Sequence, residues 1–432
     1  MSTRKNQSAL AVAAQLHTVE CRDDVARGRY DDGTKVAYQS SDKILLLDQP
    51  TFTNLRCLIL ENAHPSLSPK GLSPQDILDC LFQLRCVQNV TIRNMLPIIN
   101  AVAPPERPLH ELPYIYKFVM EEHPLSMRYV LSHLKITHVS LVELTVGRLF
   151  PAEGDHPCSG LFPVLPQNTE CLPMLQRLTR AELRCRPNDE FGEVVAEILD
   201  EDGKRARGRL SLRMRTQGVF PDKPVYHLDH PCELLFALYA ALAFGPLTAA
   251  SASLNTLVFE VDPITLTSER WGILFASYPA LQHLVVRAIE SRPRHFSTAW
   301  RFLDGLVYRR QGRYVNCPGL QTIVLDQWAN TDTLVAELEA TLRNRFEGGA
   351  ARLTELVVEQ KPLPPGVVRR QTLGNEFLGG IDQEKYVRLL AQYVDKLSVT
   401  IDGRRPGVTI ALPKLRTAIY DIIAKKLQHY TL

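Results

Sequence analysis

The chain has 432 residues, of which 45% are hydrophobic, and a formal net charge of +3. This composition is typical of a globular protein with a long apolar core and excludes the disordered class. Because the charges nearly cancel, bulk electrostatics supports neither a nucleic-acid nor a membrane-surface role. We therefore predict no nucleic-acid partner and no membrane partner.

The nine cysteines are irregularly spaced and form no C-x-x-C pair. An odd number without regular spacing argues against a disulfide framework. Several lie in apolar runs, such as 57–60 and 80–82, where reduced thiols act as small hydrophobes. This pattern indicates a reducing compartment, so we expect a cytoplasmic or nuclear protein.

A recurring phrase follows an N-terminal segment, 1–40, that we expect to be a tail or partial cap. The phrase is an aliphatic residue, two others, an aliphatic residue, one other and a third aliphatic residue. Its first positions are Leu55, Val87, Leu141, Leu178, Leu254, Leu281, Leu320, Leu353 and Val394. Segments 116–120 and 210–214 are two further strand candidates with degraded spacing. Since residues two apart on a strand share a face, each phrase predicts a strand with one buried side.

Amphipathic helices are predicted between these strands. Ser73 and Pro74 form a helix start, and Ile77, Leu81 and Leu84 then share a face. A second helix has Leu334, Leu338, Leu342 and Phe346 on its apolar face and Glu337, Glu339, Arg343 and Arg345 on its other faces. We expect further helices near 124–134, 232–244, 267–278, 296–311, 383–394 and 413–429.

Repeated strand–helix units predict an α/β fold, namely a leucine-rich-repeat solenoid over residues 41–400. Such a solenoid is a curved parallel sheet backed by helices, and here its repeats are long and irregular. Residues 401–432 are expected to form a C-terminal helical cap. The proline-rich segments 98–113, 149–173 and 361–381 are candidate insertions.

Three segments resemble the repeat phrase of fungal F-box/leucine-rich-repeat-like proteins: 52–58, 278–286 and 316–325. The resemblance covers roughly residues 50–400. It implies a repeat domain that holds a substrate, joined to an F-box that docks on a ubiquitin-ligase adaptor. No leucine-proline-x-glutamate opening and no tryptophan-bearing helix precede Phe52. A cullin-ligase adaptor is therefore an expected partner only where an F-box precedes this chain.

The predicted function is a protein-binding leucine-rich-repeat scaffold, with substrate recognition in an F-box-type ubiquitin ligase as its extension. The alternative is an enzyme on a (β/α)8 barrel, whose site would lie at the carboxyl ends of the strands. More than eight units and the proline-x-leucine entry to the strands favour the solenoid. Because the sequence has no phosphate-binding glycine loop and no nucleophile elbow, we expect neither catalysis nor a cofactor.

Three other signals are weak. His227, His230 and Cys232 lie close in sequence, but a metal site would need a fourth ligand, so we predict no metal. Segment 200–203 resembles a calcium loop without its closing glutamate and is more simply a solvated turn. The basic runs 204–209 and 309–313 have no interleaved aromatic residues, which favours exposed loops.

The expected partner-binding face is the side of the strands that points away from the helices. On the second-half strands its central positions are Val258, Val285, Val324 and Val357. The next positions form a charged column of Glu260, Arg287, Asp326 and Glu359. Two interpretations stay open: the valines simply suit strand backbones, or the column is an interaction face.

Overall fold

The structure is a computed structural model. It describes residues 16–22, 25–30, 35–39, 55–61, 73–96, 99, 109–146, 164–185, 191–200, 202–203, 205–215, 239, 241–243, 246–261, 266–288, 301–307, 315–326, 332–359, 389–390, 392–401 and 404–411. The chain divides into two compact units, Met1–Ser253 and Leu254–Leu432. Each described unit is α/β, with a mostly parallel sheet backed by helices, as predicted.

The described strands of the first unit are β1 (Leu16–Arg22), β2 (Val25–Tyr30), β3 (Lys35–Gln39), β4 (Cys57–Glu61), β5 (Asn89–Arg93), β6 (His110–Glu111), β7 (Lys117–Glu122), β8 (Leu134–Lys135), β9 (Leu141–Val146), β10 (Arg180–Arg184), β11 (Phe191–Leu199) and β12 (Ala206–Arg215). Ten of them form the main sheet, in the order β3-β2-β1-β4-β5-β7-β9-β12-β11-β10. A small parallel pair, β6 and β8, lies apart from this sheet.

The second unit has six described strands in the order of the sequence. They are β13 (Thr256–Val261), β14 (His283–Ala288), β15 (Thr322–Asp326), β16 (Leu353–Glu359), β17 (Val394–Ile401) and β18 (Arg404–Ala411). The first five are parallel, and β18 is antiparallel to β17. In each unit the described strands form an open row, so the closed barrel of the alternative interpretation is not found among them.

One backbone arrangement recurs where the strands begin. The carbonyl of the residue just ahead of a strand accepts hydrogen bonds from two successive amides of the next strand segment. Gln282 O, for example, accepts from Gln321 N at 2.8 Å and from Thr322 N at 2.9 Å. The same arrangement occurs at the carbonyls of Arg56, Gln88, Tyr116, Asn255 and Gln321. Successive strands in both units are thus attached to their neighbours in the same way.

Burial follows the predicted phrase at most strands, with two differences of register. Leu141 is half-exposed, and the buried positions are Val139, Val142 and Leu144, so the phrase begins two residues earlier than predicted. The spacing at β7 is not degraded. Its phrase begins at Ile115 and continues through Phe118 and Met120, all of which are buried. The prediction missed this start because Ile115 lies between two exposed tyrosines, Tyr114 and Tyr116.

Not all strands are parallel, which corrects the predicted uniform stack. Strand β11 is antiparallel to both β10 and β12, and β12 pairs in parallel with β9. A hairpin therefore separates β10 from β9. Segment 404–411 is a strand where a helical cap was expected, and segment 1–40 contains three strands. The rest of 401–432 lies almost wholly outside the described residues.

The described helices are α1 (Pro74–Gln83), α2 (Pro124–Ser132), α3 (Ser268–Ala276), α4 (Arg301–Val307) and α5 (Asp332–Glu347). Helix α1 begins as predicted: the Ser73 hydroxyl accepts a bond from Asp76 N at 3.2 Å, and the Asp76 carboxylate accepts one from Ser73 N at 2.7 Å. Helix α3 packs on the sheet through Trp271, whose ring lies edge-on to that of Phe259 at 4.7 Å. The predicted helices at 232–244 and 383–394 are described only in part, and 413–429 lies outside the described residues.

Helix α5 differs from its prediction at its last turn and at Glu339, which was expected on a polar face and is buried. Leu334, Leu338 and Leu342 are buried, but Phe346 is 52% exposed and Arg345 is only 2% exposed. The Arg345 guanidinium donates to the carbonyls of Asn316 at 2.7 Å and Cys317 at 2.9 Å. Burial lowers its pKa to about 10. Because the acceptors lie in a loop almost thirty residues away, helical periodicity alone could not predict this exchange.

Candidate partner-binding faces

The valine column predicted for the second unit is in register. Val258 pairs with Val285, Val285 with Val324, and Val324 with Val357, on adjacent strands β13 to β16. Val258 is only 2% exposed, so it is not available as a contact residue. The other three are half-exposed. We name Val285, Val324 and Val357 the valine strip; Ser398 follows it on β17.

The charged column beside the valine strip is also in register, with Glu260, Arg287, Asp326 and Glu359 as successive neighbours. Arg287 Nε lies 3.4 Å from Asp326 Oδ2. Glu260 is nearly buried, whereas Glu359 is exposed. Since these residues lie side by side along an open row, they do not surround the mouth of a barrel.

Polar residues border the valine strip on its other side. His283, Thr322, Glu355 and Lys396 occupy this column, and Lys396 Nζ lies 2.5 Å from Glu355 Oε1. The face of the second unit is therefore an apolar strip between two polar columns. Such a face resembles the apolar centre and polar rim of many protein interfaces.

The corresponding face of the first unit carries a lattice of ion pairs that the sequence reasoning missed. Its members are Arg180, Glu182 and Arg184 on β10, Glu193 and Glu197 on β11, Arg209, Ser211 and Arg213 on β12, and Glu143 on β9. We call this set the charged lattice. Charges at alternate residues of β10, and of β12 apart from Ser211, are the sequence signal that could have revealed it.

Glu182 is buried within the charged lattice and accepts from Arg180 at 3.0 Å and from Arg184 at 2.8 Å. Glu193 accepts from Ser211 at 2.6 Å and from Arg213 Nε at 2.9 Å. Burial alone would raise the pKa of Glu193, but these bonds and the nearby arginine charges hold it below its ordinary value. The Glu193 carboxylate is thus kept charged by the arginines beside it.

A second buried carboxylate in the first unit has amide partners. Glu122, at the end of β7, accepts from Met95 N at 2.5 Å and from Leu96 N at 3.2 Å. Burial raises its pKa to about 8, although these two amides oppose the shift. Glu122 thereby holds the chain after β5, where Asn94 has a φ of 53°.

The remaining sequence signals divide by location. His227, His230 and Cys232 lie outside the described residues, as do 309–313 and most of 149–173 and 361–381. The predicted turn at 200–203 joins β11 to β12, with Gly203 at a φ of +67°. Within the described ranges, no group of three or more His, Cys, Asp or Glu residues could hold a metal ion. No helix in the part of the chain that the structure describes is long and apolar enough to span a membrane.

No family model matches the chain, and neither does any curated protein or solved structure.

Proposed function

We propose that the chain is a leucine-rich-repeat scaffold that binds another protein through the valine strip and the charged columns beside it. Two features support the repeat assignment. The carbonyl-to-two-amides arrangement recurs at six described positions. Buried aliphatic residues occupy the same places in the phrase at the described strands that carry it.

The half-exposed valine strip is the observation that carries this proposal. Parallel sheets are normally covered on both faces. In the part of the chain that the structure describes, Val285, Val324 and Val357 on strands β14 to β16 are left half-exposed. A protein surface laid over the strip would bury them, while Arg287, Asp326 and Glu359 would fix its orientation.

The test is a surface substitution with a matched control. Val285→Asp combined with Val324→Asp adds two charges to the strip, and Ala336→Asp combined with Ala351→Asp adds two charges to exposed positions elsewhere in the same unit. Affinity purification from the native source compares both double variants with the wild type. We expect some proteins to be captured by the wild type and the control but lost from the strip variant. Capture that survives in a folded strip variant would reject this face as the binding surface.

A substrate-receptor role in a ubiquitin ligase is the extension that the family resemblance supplies. It requires a cullin adaptor among the proteins captured by the full chain. Recovery of the adaptor, unaffected by the strip substitutions, supports this extension because the repeats would then hold the substrate alone. If the wild-type chain captures no cullin adaptor, the ubiquitin-ligase extension is rejected and only the scaffold function stays as a proposal.

A further inference from the structure

Two exposed tyrosines stand out in the first unit. Tyr114 and Tyr116 are each 61% exposed, and only Phe346 and Leu389 join them as exposed large hydrophobic side chains among the described residues. They flank Ile115, which is fully buried at the start of the β7 phrase. Anchoring of Ile115 in the core therefore leaves both rings on the surface, at the end where β7 begins.

Backbone hydrogen bonds connect this site to its neighbours across five strands. Arg56 O accepts from Gln88 N, Gln88 O from Tyr116 N, Tyr116 O from Ser140 N, and Ser140 O from Arg209 N, at 2.7–2.9 Å. Adjacent strands lie about 4.8 Å apart, so Tyr116 is about 10 Å along the row from both Arg56 and Arg209. The aromatic position thus lies midway between two cationic positions.

The charged residues at the starts of β4, β7 and β12 are Arg56, Lys117, Arg207 and Arg209, and no carboxylate occupies positions 56–57, 88–89, 116–117, 140–141 or 207–209. Carboxylates lie only beyond β12, with Glu197 of β11 opposite Arg209 and Asp200 and Asp202 in the turn before β12. Among the described residues, Arg56, Lys117 and Arg207 have no ion-pair partner, while Arg209 Nη2 lies 3.9 Å from Glu193 Oε1. We name Arg56, Tyr114, Tyr116, Lys117 and Arg207 the basic edge.

We propose that the basic edge binds single-stranded nucleic acid, with phosphates on the cations and unpaired bases stacked on the tyrosines. Cations that follow a backbone and exposed rings that accept any base are the two parts of such sites. A duplex keeps its bases stacked on one another, so the rings select the single strand. The near-neutral net charge led to the prediction of no nucleic-acid partner because it averages over the whole chain. The basic edge is a local concentration of positive charge that this average does not reveal.

The second unit offers a natural control. The positions ahead of its strands that correspond to Arg56, Gln88 and Tyr116 are Asn255, Gln282 and Gln321, which carry neither charge nor aromatic ring. Their backbone geometry is the same. A difference in binding between the two edges would therefore come from side chains and not from the repeat backbone.

Fluorescence anisotropy of the full chain with a fluorescein-labelled oligothymidylate of about 12 nucleotides tests the proposal. Tyr114→Ala combined with Tyr116→Ala should weaken binding about tenfold or more, and the corresponding phenylalanine pair should retain it. Arg56→Ser and Arg207→Ser should each reduce the slope of log affinity against log salt by about 0.7. Gln321→Ala is the control in the second unit and should change neither quantity.

Three results would overturn the proposal. The first is absence of wild-type binding at low salt. The second is an unchanged affinity for the oligonucleotide when Tyr114→Ala and Tyr116→Ala are combined in a folded protein. If that double variant does not fold, an unchanged salt slope in Arg56→Ser and Arg207→Ser has the same meaning. The third is a polyglutamate peptide that displaces the oligonucleotide and binds independently of the tyrosines, which would assign the basic edge to an acidic protein segment.

Discussion

The two units present opposite chemistry on equivalent faces of their sheets. In the second unit, strands β14 to β16 keep a half-exposed valine strip with one described ion pair on each side, Arg287 with Asp326 and Lys396 with Glu355. In the first unit, strands β9 to β12 carry the charged lattice, in which Glu182 and Ser211 are buried beneath their neighbours. The backbone arrangement is shared, so the difference lies in the side chains that alternate along the strands.

This comparison separates residues that complete the fold from residues left available to a partner. The members of the charged lattice form hydrogen bonds and ion pairs with one another. Glu193, for example, accepts hydrogen bonds from Ser211 at 2.6 Å and from Arg213 at 2.9 Å. The side chains of the valine strip form no such bonds, because apolar groups are stabilised only when their surface is removed from water. The first face therefore contributes to stability, and the second is the face that we propose for binding.

Glu182→Gln should have the largest effect on stability. It removes the charge that receives bonds from Arg180 and Arg184 while preserving shape, and breaking a fully buried pair costs about 3–5 kcal/mol. The arginines remain partly exposed, so we expect a loss of about 2–3 kcal/mol. Urea unfolding of the variant measures it. A urea midpoint equal to that of the wild type would mean that the charged lattice does not contribute to stability.

Glu122→Gln should have the second largest effect, which is a change in how the free energy of unfolding depends on pH. Because the folded pKa of Glu122, about 8, exceeds its ordinary value, its contribution to stability is present below about pH 4.5 and is lost as pH rises through 8. Between pH 6 and 9 the wild type should lose on the order of 2 kcal/mol relative to the glutamine variant. Urea unfolding at both pH values measures this change. A constant difference between the two proteins would contradict the burial that raises the pKa of Glu122.

Asp326→Asn should have the smallest effect. Its partner Arg287 is 35% exposed, and surface ion pairs contribute about 0–1 kcal/mol. We expect a change of about 0.5 kcal/mol or less in the free energy of unfolding, measured beside Glu182→Gln under the same conditions. Equal losses in the two variants would remove the distinction between the faces.

Some of this structure could be predicted because it depends on neighbours in sequence. Ser73 and Pro74 mark the start of α1 by local capping, and the valine columns align because the phrases share one spacing. Other features depend on distant partners. Arg345 is buried because loop carbonyls receive it, the β11–β12 hairpin enters the sheet beside β9, and the burial of Val258 has no sign in its own phrase. The basic edge arises only when Arg56, Tyr116 and Arg207 are brought to one row.

Photo-crosslinking tests the central claim most directly. A benzophenone amino acid replaces Val324 in the valine strip or, as the control, Ala336 on an exposed position of α5. After irradiation in the native extract, we predict covalent adducts with a protein partner from position 324 and none from position 336. Adducts from position 336 alone, with none from 324, would contradict the assignment of the valine strip as the partner-binding face.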